Sequence, residues 1–154
     1  MLIKEFISQS NRNKIISDLL KYYKVGSVKV KQKSMKDHAH YNVDIQLLFH
    51  IYYLYIRVYN VDIGTLELST RYKTIKNSQF KEFLITILHE IYHAIDAKKY
   101  GWRKFKDMYE YEMNLMISQG KHEYKDNKYE IEAEEFGQKN WMKWNNKFKK
   151  DGLI

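Results

Sequence analysis

His89, Glu90 and His93 stand in an H-E-x-x-H pattern, and that spacing implies a particular chemistry. Residues four apart share one face of a helix, so both imidazoles can reach a single ion. Glu90, one position on, is turned around the helix. It can lie beside a water on that ion without taking a coordination position, which is what a general base requires. The 154-residue chain has no cysteine, which excludes a disulfide framework and a thiolate metal site. A transition metal must then be held by imidazole and carboxylate. Because five-residue matches of this kind also arise by chance, a third ligand has to decide the matter.

The segment Tyr129-Glu130-Ile131-Glu132-Ala133-Glu134-Glu135-Phe136-Gly137 suggests that ligand. At about 100° per residue, Glu130, Ala133, Glu134, Gly137, Trp141, Trp144 and Phe148 share one helix face, while Glu132, Lys139 and Lys143 lie on another. Glu130 begins a stripe that is otherwise mainly small and aromatic. A carboxylate facing a core is costly unless it is paired, protonated or bound to a metal, and the two helix-borne histidines are what it would approach. The competing reading is a solvated first turn, where the helix dipole favours Glu130 and Glu134. On the histidine helix, Phe80, Phe83, Leu84, Ile87, Ile91, Ala94 and Ile95 form the apolar stripe, with the histidines nearly opposite its centre. They read as ligands or as solvated surface residues, and not as ordinary core histidines.

The elements that must hold these groups follow from periodicity. Ser10 is the expected cap of a first helix running through about Tyr23, carrying Ile15, Ile16, Leu19 and Leu20 and ended by Gly26. Residues 27 to 33 read as a short basic strand. Val43, Ile45 and Leu47 alternate similarly before a longer strand, Tyr52 to Tyr59, and after the turn residues Asn60 to Gly64, Thr65 to Thr70 reads as the second arm of a hairpin. From Asn77 the period becomes helical, with helices near 79 to 99, 103 to 118 and 128 to 149 and Gly101 and Gly120 as stops. With no proline and no repeat, nothing marks a linker. The expectation is a single α+β domain over residues 1–154: an N-terminal helix, a three- to four-stranded, mostly antiparallel sheet, the H-E-x-x-H helix and two further helices.

With these motifs the chain resembles the gluzincin branch of zinc peptidases. In particular it is similar to the minimal zincins of phage and mobile elements, of ImmA/IrrE-like kind. The family pattern pairs H-E-x-x-H with a later helical Glu-x-x-Ala-Asn/Asp followed by an aromatic and a small residue, which here reads Glu130-Ile131-Glu132-Ala133-Glu134-Glu135-Phe136-Gly137. The resemblance covers about residues 54 to 137 and leaves residues 1–53 and the basic C-terminal helix unexplained. It implies one zinc ion held by His89, His93 and Glu130, with Glu90 as base and Glu134 in place of the usual Asn or Asp that orients an imidazole. It also implies that the strand carrying Leu66, Glu67, Leu68 and Ser69 is the sheet edge along which an extended peptide pairs. The implied activity is peptide-bond hydrolysis, on a peptide or protein substrate. Two related patterns do not fit: metzincins place a glycine and then a histidine where this chain has Asp96 and Lys99, and the next histidine, His122, is too distant for a Spartan-type site.

Other residues carry weaker signals. Asp96 lies near the histidine face, where it can orient a ligand. His122, Tyr124 and Tyr129 precede or begin the proposed ligand helix, where a donor can stabilise an oxyanion. His38, His40 and His50 lack an accompanying carboxylate motif and read as surface residues. The run from Trp141 to Lys150 interleaves bases with aromatics, but its aromatics fall on the inferred buried stripe. A net charge of +8 is compatible with weak nucleic-acid or acidic-protein association. The N-terminus lacks the apolar core of a secretion signal and no segment reads as membrane-spanning, so the expected location is cytoplasmic, in the host cytoplasm if phage-encoded. The alternative from another class is a non-catalytic regulatory or nucleic-acid-associated binding protein with a structural zinc. Glu90 separates the two readings, since a structural site has no use for a base.

Overall fold

The computed structural model describes residues 6–25, 29–33, 54–59, 63–69 and 75–154. The described elements are β1 (Phe6–Ile7), α1 (Gln9–Tyr22), β2 (Lys29–Lys33), β3 (Leu54–Tyr59), β4 (Ile63–Ser69), β5 (Ile75–Lys76), α2 (Phe80–Tyr100), α3 (Trp102–Ser118) and α4 (Lys128–Lys150). The architecture is α+β. The expected strand over Val43 to Leu47 lies outside the described residues, as do His38, His40, His50 and Gly26.

The helix limits come from local chemistry. Ser8, and not Ser10, caps α1: its backbone is extended, and its hydroxyl accepts from the Asn11 amide at 3.1 Å. Lys24, at φ 58°, makes the left-handed turn that follows α1, ahead of Gly26. A short 3-10 turn, Asn77–Gln79, leads into α2, with the Lys76 amide donating to the Gln79 side chain. Gly101 and Gly120, at φ 80° and 69°, end α2 and α3, a backbone conformation that glycine adopts without Cβ strain. The Asn127 side chain caps α4 by accepting from the Tyr129 amide at 3.0 Å. Among the described residues no helix is long and apolar enough to cross a membrane.

Strands β3 and β4 pair antiparallel, Leu54 opposite Leu68 and Tyr59 opposite Ile63, as the arms of a hairpin do. Strand β2 pairs with the other side of β4, in parallel, from Lys29 opposite Thr65 to Lys33 opposite Ser69. The order β2-β4-β3 therefore puts Leu66, Glu67, Leu68 and Ser69 in the middle of a sheet. This corrects the expectation that they form its edge: both rows of β4 backbone groups are already engaged, leaving none for an added strand. A second, two-stranded pairing joins β1 to β5.

The core is built around α2. Its Phe83, Leu84, Ile87 and Leu88 pack with Ile15, Ile16 and Leu19 of α1 and with Trp144 and Phe148 of α4. Leu88, His89, Glu90 and Ile91 are four successive buried residues, which requires that the helix be covered on every side. The face opposite the apolar stripe is thus not solvated, since α3 and α4 lie against α2 as well. The most extensive helix contact is α2 with α4, and Gly137 is what lets them close. A Cβ at that position would stand 2.9 Å from the Ile85 backbone oxygen and 3.1 Å from its Cγ2. Gly137→Ala must therefore push α4 off α2, and chemical denaturation is expected to show a loss of about 1–3 kcal/mol, the usual scale for overpacking.

Candidate metal centre

Three side chains from two helices converge at the α2–α4 contact. Helix α2 presents His89 and His93 one turn apart, with their Nε2 atoms 3.0 Å from each other. From the first turn of α4, Glu130 brings Oε2 to 3.2 Å from His89 Nε2 and Oε1 to 3.3 Å from His93 Nε2. Relative exposures of 3%, 1% and 3% for His89, His93 and Glu130 dispose of both solvated readings, of the histidines and of the first turn of α4. One ligand atom from each lies within 4.8 Å of the others, so the group can hold a metal ion. The spacings of His89 Nε2 from His93 Nε2, 3.0 Å, and from Glu130 Oε2, 3.2 Å, suit that use: four ligands at about 2.0 Å around a tetrahedral ion stand about 3.3 Å apart.

Without an ion the cluster carries its own charge balance. Burial works against a charged His89. The Glu130 hydrogen bond, the Glu134 contact and the Glu90 charge outweigh it, and its pKa is raised to about 9. Burial alone would raise the Glu130 pKa, but the two imidazoles hold it well below the usual carboxylate range. His93 moves down, mainly through burial.

Glu90 goes the opposite way from Glu130. It is completely buried, and neither of its oxygens meets a hydrogen-bond partner among the described residues. Burial first, and then the Glu130 charge, raise its pKa well above normal, although His89 opposes this. A buried carboxylate without partners is expensive, and such groups mark functional sites or an ion that the polypeptide does not supply. The donor set of two imidazoles and a carboxylate, with an orphaned carboxylate one residue from a ligand, fits a bound metal.

A cavity of about 350 Å³ adjoins the cluster, lined by His89, Tyr124, Lys125, Glu130, Ile131, Glu134 and Glu135. Of the weaker candidates, Tyr124 is brought here, its pKa raised by burial and by its interactions with Glu130. His122 is not: its exposed ring accepts from the amides of Tyr124 and Lys125 through Nδ1, so it shapes the loop before α4. Tyr129 is buried in an aromatic group, 5.4 Å from Phe105 and stacked at 6.0 Å on Tyr109. Glu134 Oε2 stands 3.6 Å from His89 Nδ1, a charge contact longer than a hydrogen bond, while its Oε1 accepts from Gln138. Asp96 is buried and belongs to a separate charged group with Glu132 and Lys99, burial and Glu132 raising its pKa.

One residue at the site had not been singled out from the sequence. Tyr109, on α3, donates its hydroxyl to Glu130 Oε1 at 2.7 Å. Its only sequence signal is that it follows Phe105 by four residues on the stripe continued by Glu112 and Met116, and 14 tyrosines make that signal weak.

Comparison of the chain with protein-family models, with curated proteins and with solved structures returns no match.

The His89 shift fixes a pH dependence for the metal-free protein. A folded-state pKa raised from 6.5 to about 9 gives stability that is complete below 6.5 and lost as pH rises through 9. Chelator-treated protein should therefore melt at progressively lower temperature over that window, and His89→Gln should flatten the trend. Because ligation requires neutral imidazole, the added stability from a divalent metal should instead grow with pH over the same range.

Proposed function

We propose that this chain is a zinc-dependent metallopeptidase of the minimal zincin kind, with His89, His93 and Glu130 as the zinc ligands and Glu90 as the general base. The observation that carries the reading is the convergence of the H-E-x-x-H imidazoles with a carboxylate 41 residues away, all three buried. Nitrogen and oxygen donors without sulfur suit zinc in a catalytic site, where three protein ligands leave one position open. Zinc in such a site lowers the pKa of water and polarises a carbonyl.

The residues of the chain divide the remaining work. His89 and His93 present Nε2 toward Glu130, so the Nδ1 side of each ring faces away from the ligand cluster. On His89 that side meets Glu134, which can hold the ring in orientation. Glu90, one residue from a proposed ligand and free of competing hydrogen bonds among the described residues, would serve as base in its ionised form, which the charge of a bound ion favours against the burial that raises its pKa in the metal-free protein. So ionised, it takes a proton from the attacking water and returns it to the leaving amine. Tyr124 places a phenol in the wall of the cavity, where a donor can stabilise charge on the carbonyl oxygen of a peptide.

The test separates binding from turnover. Protein purified without added metal should carry about one zinc per chain, a content lost in His89→Ala, His93→Ala and Glu130→Ala and kept in Glu90→Gln. Incubated with a proteome-derived peptide mixture, the zinc-loaded parent should generate new termini at a rate on the order of 100-fold to 10,000-fold above Glu90→Gln. Equal cleavage by the two proteins, both zinc-loaded, would sink the peptidase assignment and favour a zinc-bearing interaction domain.

A further inference from the structure

The third ligand offers the metal a choice that the histidines do not. An imidazole presents one lone pair, whereas a glutamate can bind through one oxygen or through both. Bound through both, Glu130 would fill a position that catalysis needs open. The structure contains a group placed to settle the choice. Tyr109 donates to Glu130 Oε1 at 2.7 Å, at the upper end of the range of about 2.5–2.7 Å for a bond from a hydroxyl to an ionised carboxylate. The phenol is itself held in place: its ring stacks on Tyr129, lies edge-on to Phe105 at 6.4 Å and edge-on to His93 at 6.4 Å. Tyr109 therefore reaches the ligand from α3, a helix that supplies none of the three candidate ligands.

We propose that Tyr109 is a positioning residue that occupies Oε1 of Glu130 and so restricts this carboxylate to one-oxygen ligation, keeping a coordination position open for water. The proposal rests on the reading of His89, His93 and Glu130 as metal ligands. It assigns α3 a part in the site: the helix controls how many protein atoms the ion meets, without contributing one. A ring without its hydroxyl would preserve the aromatic packing and release Oε1.

The experiment compares the parent, Tyr109→Phe and Phe105→Leu, each stripped of metal and reloaded. Zinc affinity is read by competition with a chromophoric chelator, coordination number by the visible spectrum of the cobalt-substituted protein, and packing by melting of the metal-free form. In Tyr109→Phe, zinc affinity should fall on the order of 10-fold to 100-fold, the usual cost of losing a partner to a metal ligand. Its cobalt spectrum should lose the intensity of four-coordination, with little change in metal-free melting. Phe105→Leu trims a neighbouring ring and keeps the hydroxyl, so it should lower melting and leave the cobalt spectrum as in the parent. Unchanged affinity and spectrum in Tyr109→Phe overturn the proposal while leaving the metal site standing, as does an equal spectral change in Phe105→Leu or a Tyr109→Phe chain that no longer folds without metal. A folded parent that takes up neither zinc nor cobalt overturns this proposal and the metal-site reading together.

Discussion

The arrangement depends on a carboxylate buried between two helices. Glu130 is almost fully removed from water, and what makes this tolerable is a set of partners it cannot find within its own helix: two imidazoles from α2 and a phenol from α3. A buried charge that loses its partners is strongly destabilising, on the order of 3–5 kcal/mol, so the three helices are bound to one mutual geometry. Gly137, two turns along α4, enforces the same closeness by steric means, since only a hydrogen fits against the Ile85 carbonyl. One contact brings the carboxylate to the imidazoles and the other sets the distance at which it arrives.

Two acids in one buried cluster are driven to opposite states. Glu130 lies against the imidazoles and stays ionised. Glu90, one residue from His89, has no hydrogen-bond partner among the described residues and is pushed toward its protonated form. Environments that separate the pKa values of neighbouring acids commonly assign them different chemical roles. The division here matches a proposed ligand and a proton carrier, and it arises because α4 brings Glu130 against the two imidazoles of α2 while Glu90 is enclosed by burial without a partner among the described residues.

Much of this is legible in the sequence, for physical reasons. Helix α4 yields its buried face because the spacing of Ala133, Gly137, Trp144 and Phe148 agrees with a 3.6-residue period, and that register carries Glu130 inward with them. The ends of α2 and α3 are marked by Gly101 and Gly120. Burial of the histidine face was hidden, because a wheel for α2 cannot reveal that α3 and α4 cover the side opposite its apolar stripe. The choice of Ser8 over Ser10 turned on one residue's extended backbone. The central place of β4 depends on a parallel partner some 35 residues upstream, a pairing that alternation within a strand does not encode. Tyr109 was obscured because its meaning lies in a contact with another helix.

The presence of an ion between His89, His93 and Glu130 is tested most directly by anomalous X-ray scattering from crystals of protein purified without added metal, with data collected on both sides of the zinc absorption edge. The expected result is a difference peak that appears only above the edge, about 2.0–2.2 Å from Nε2 of His89, Nε2 of His93 and a carboxylate oxygen of Glu130. Ordered side chains with no such peak among them, after soaking in zinc, would contradict the assignment of these residues as a metal centre.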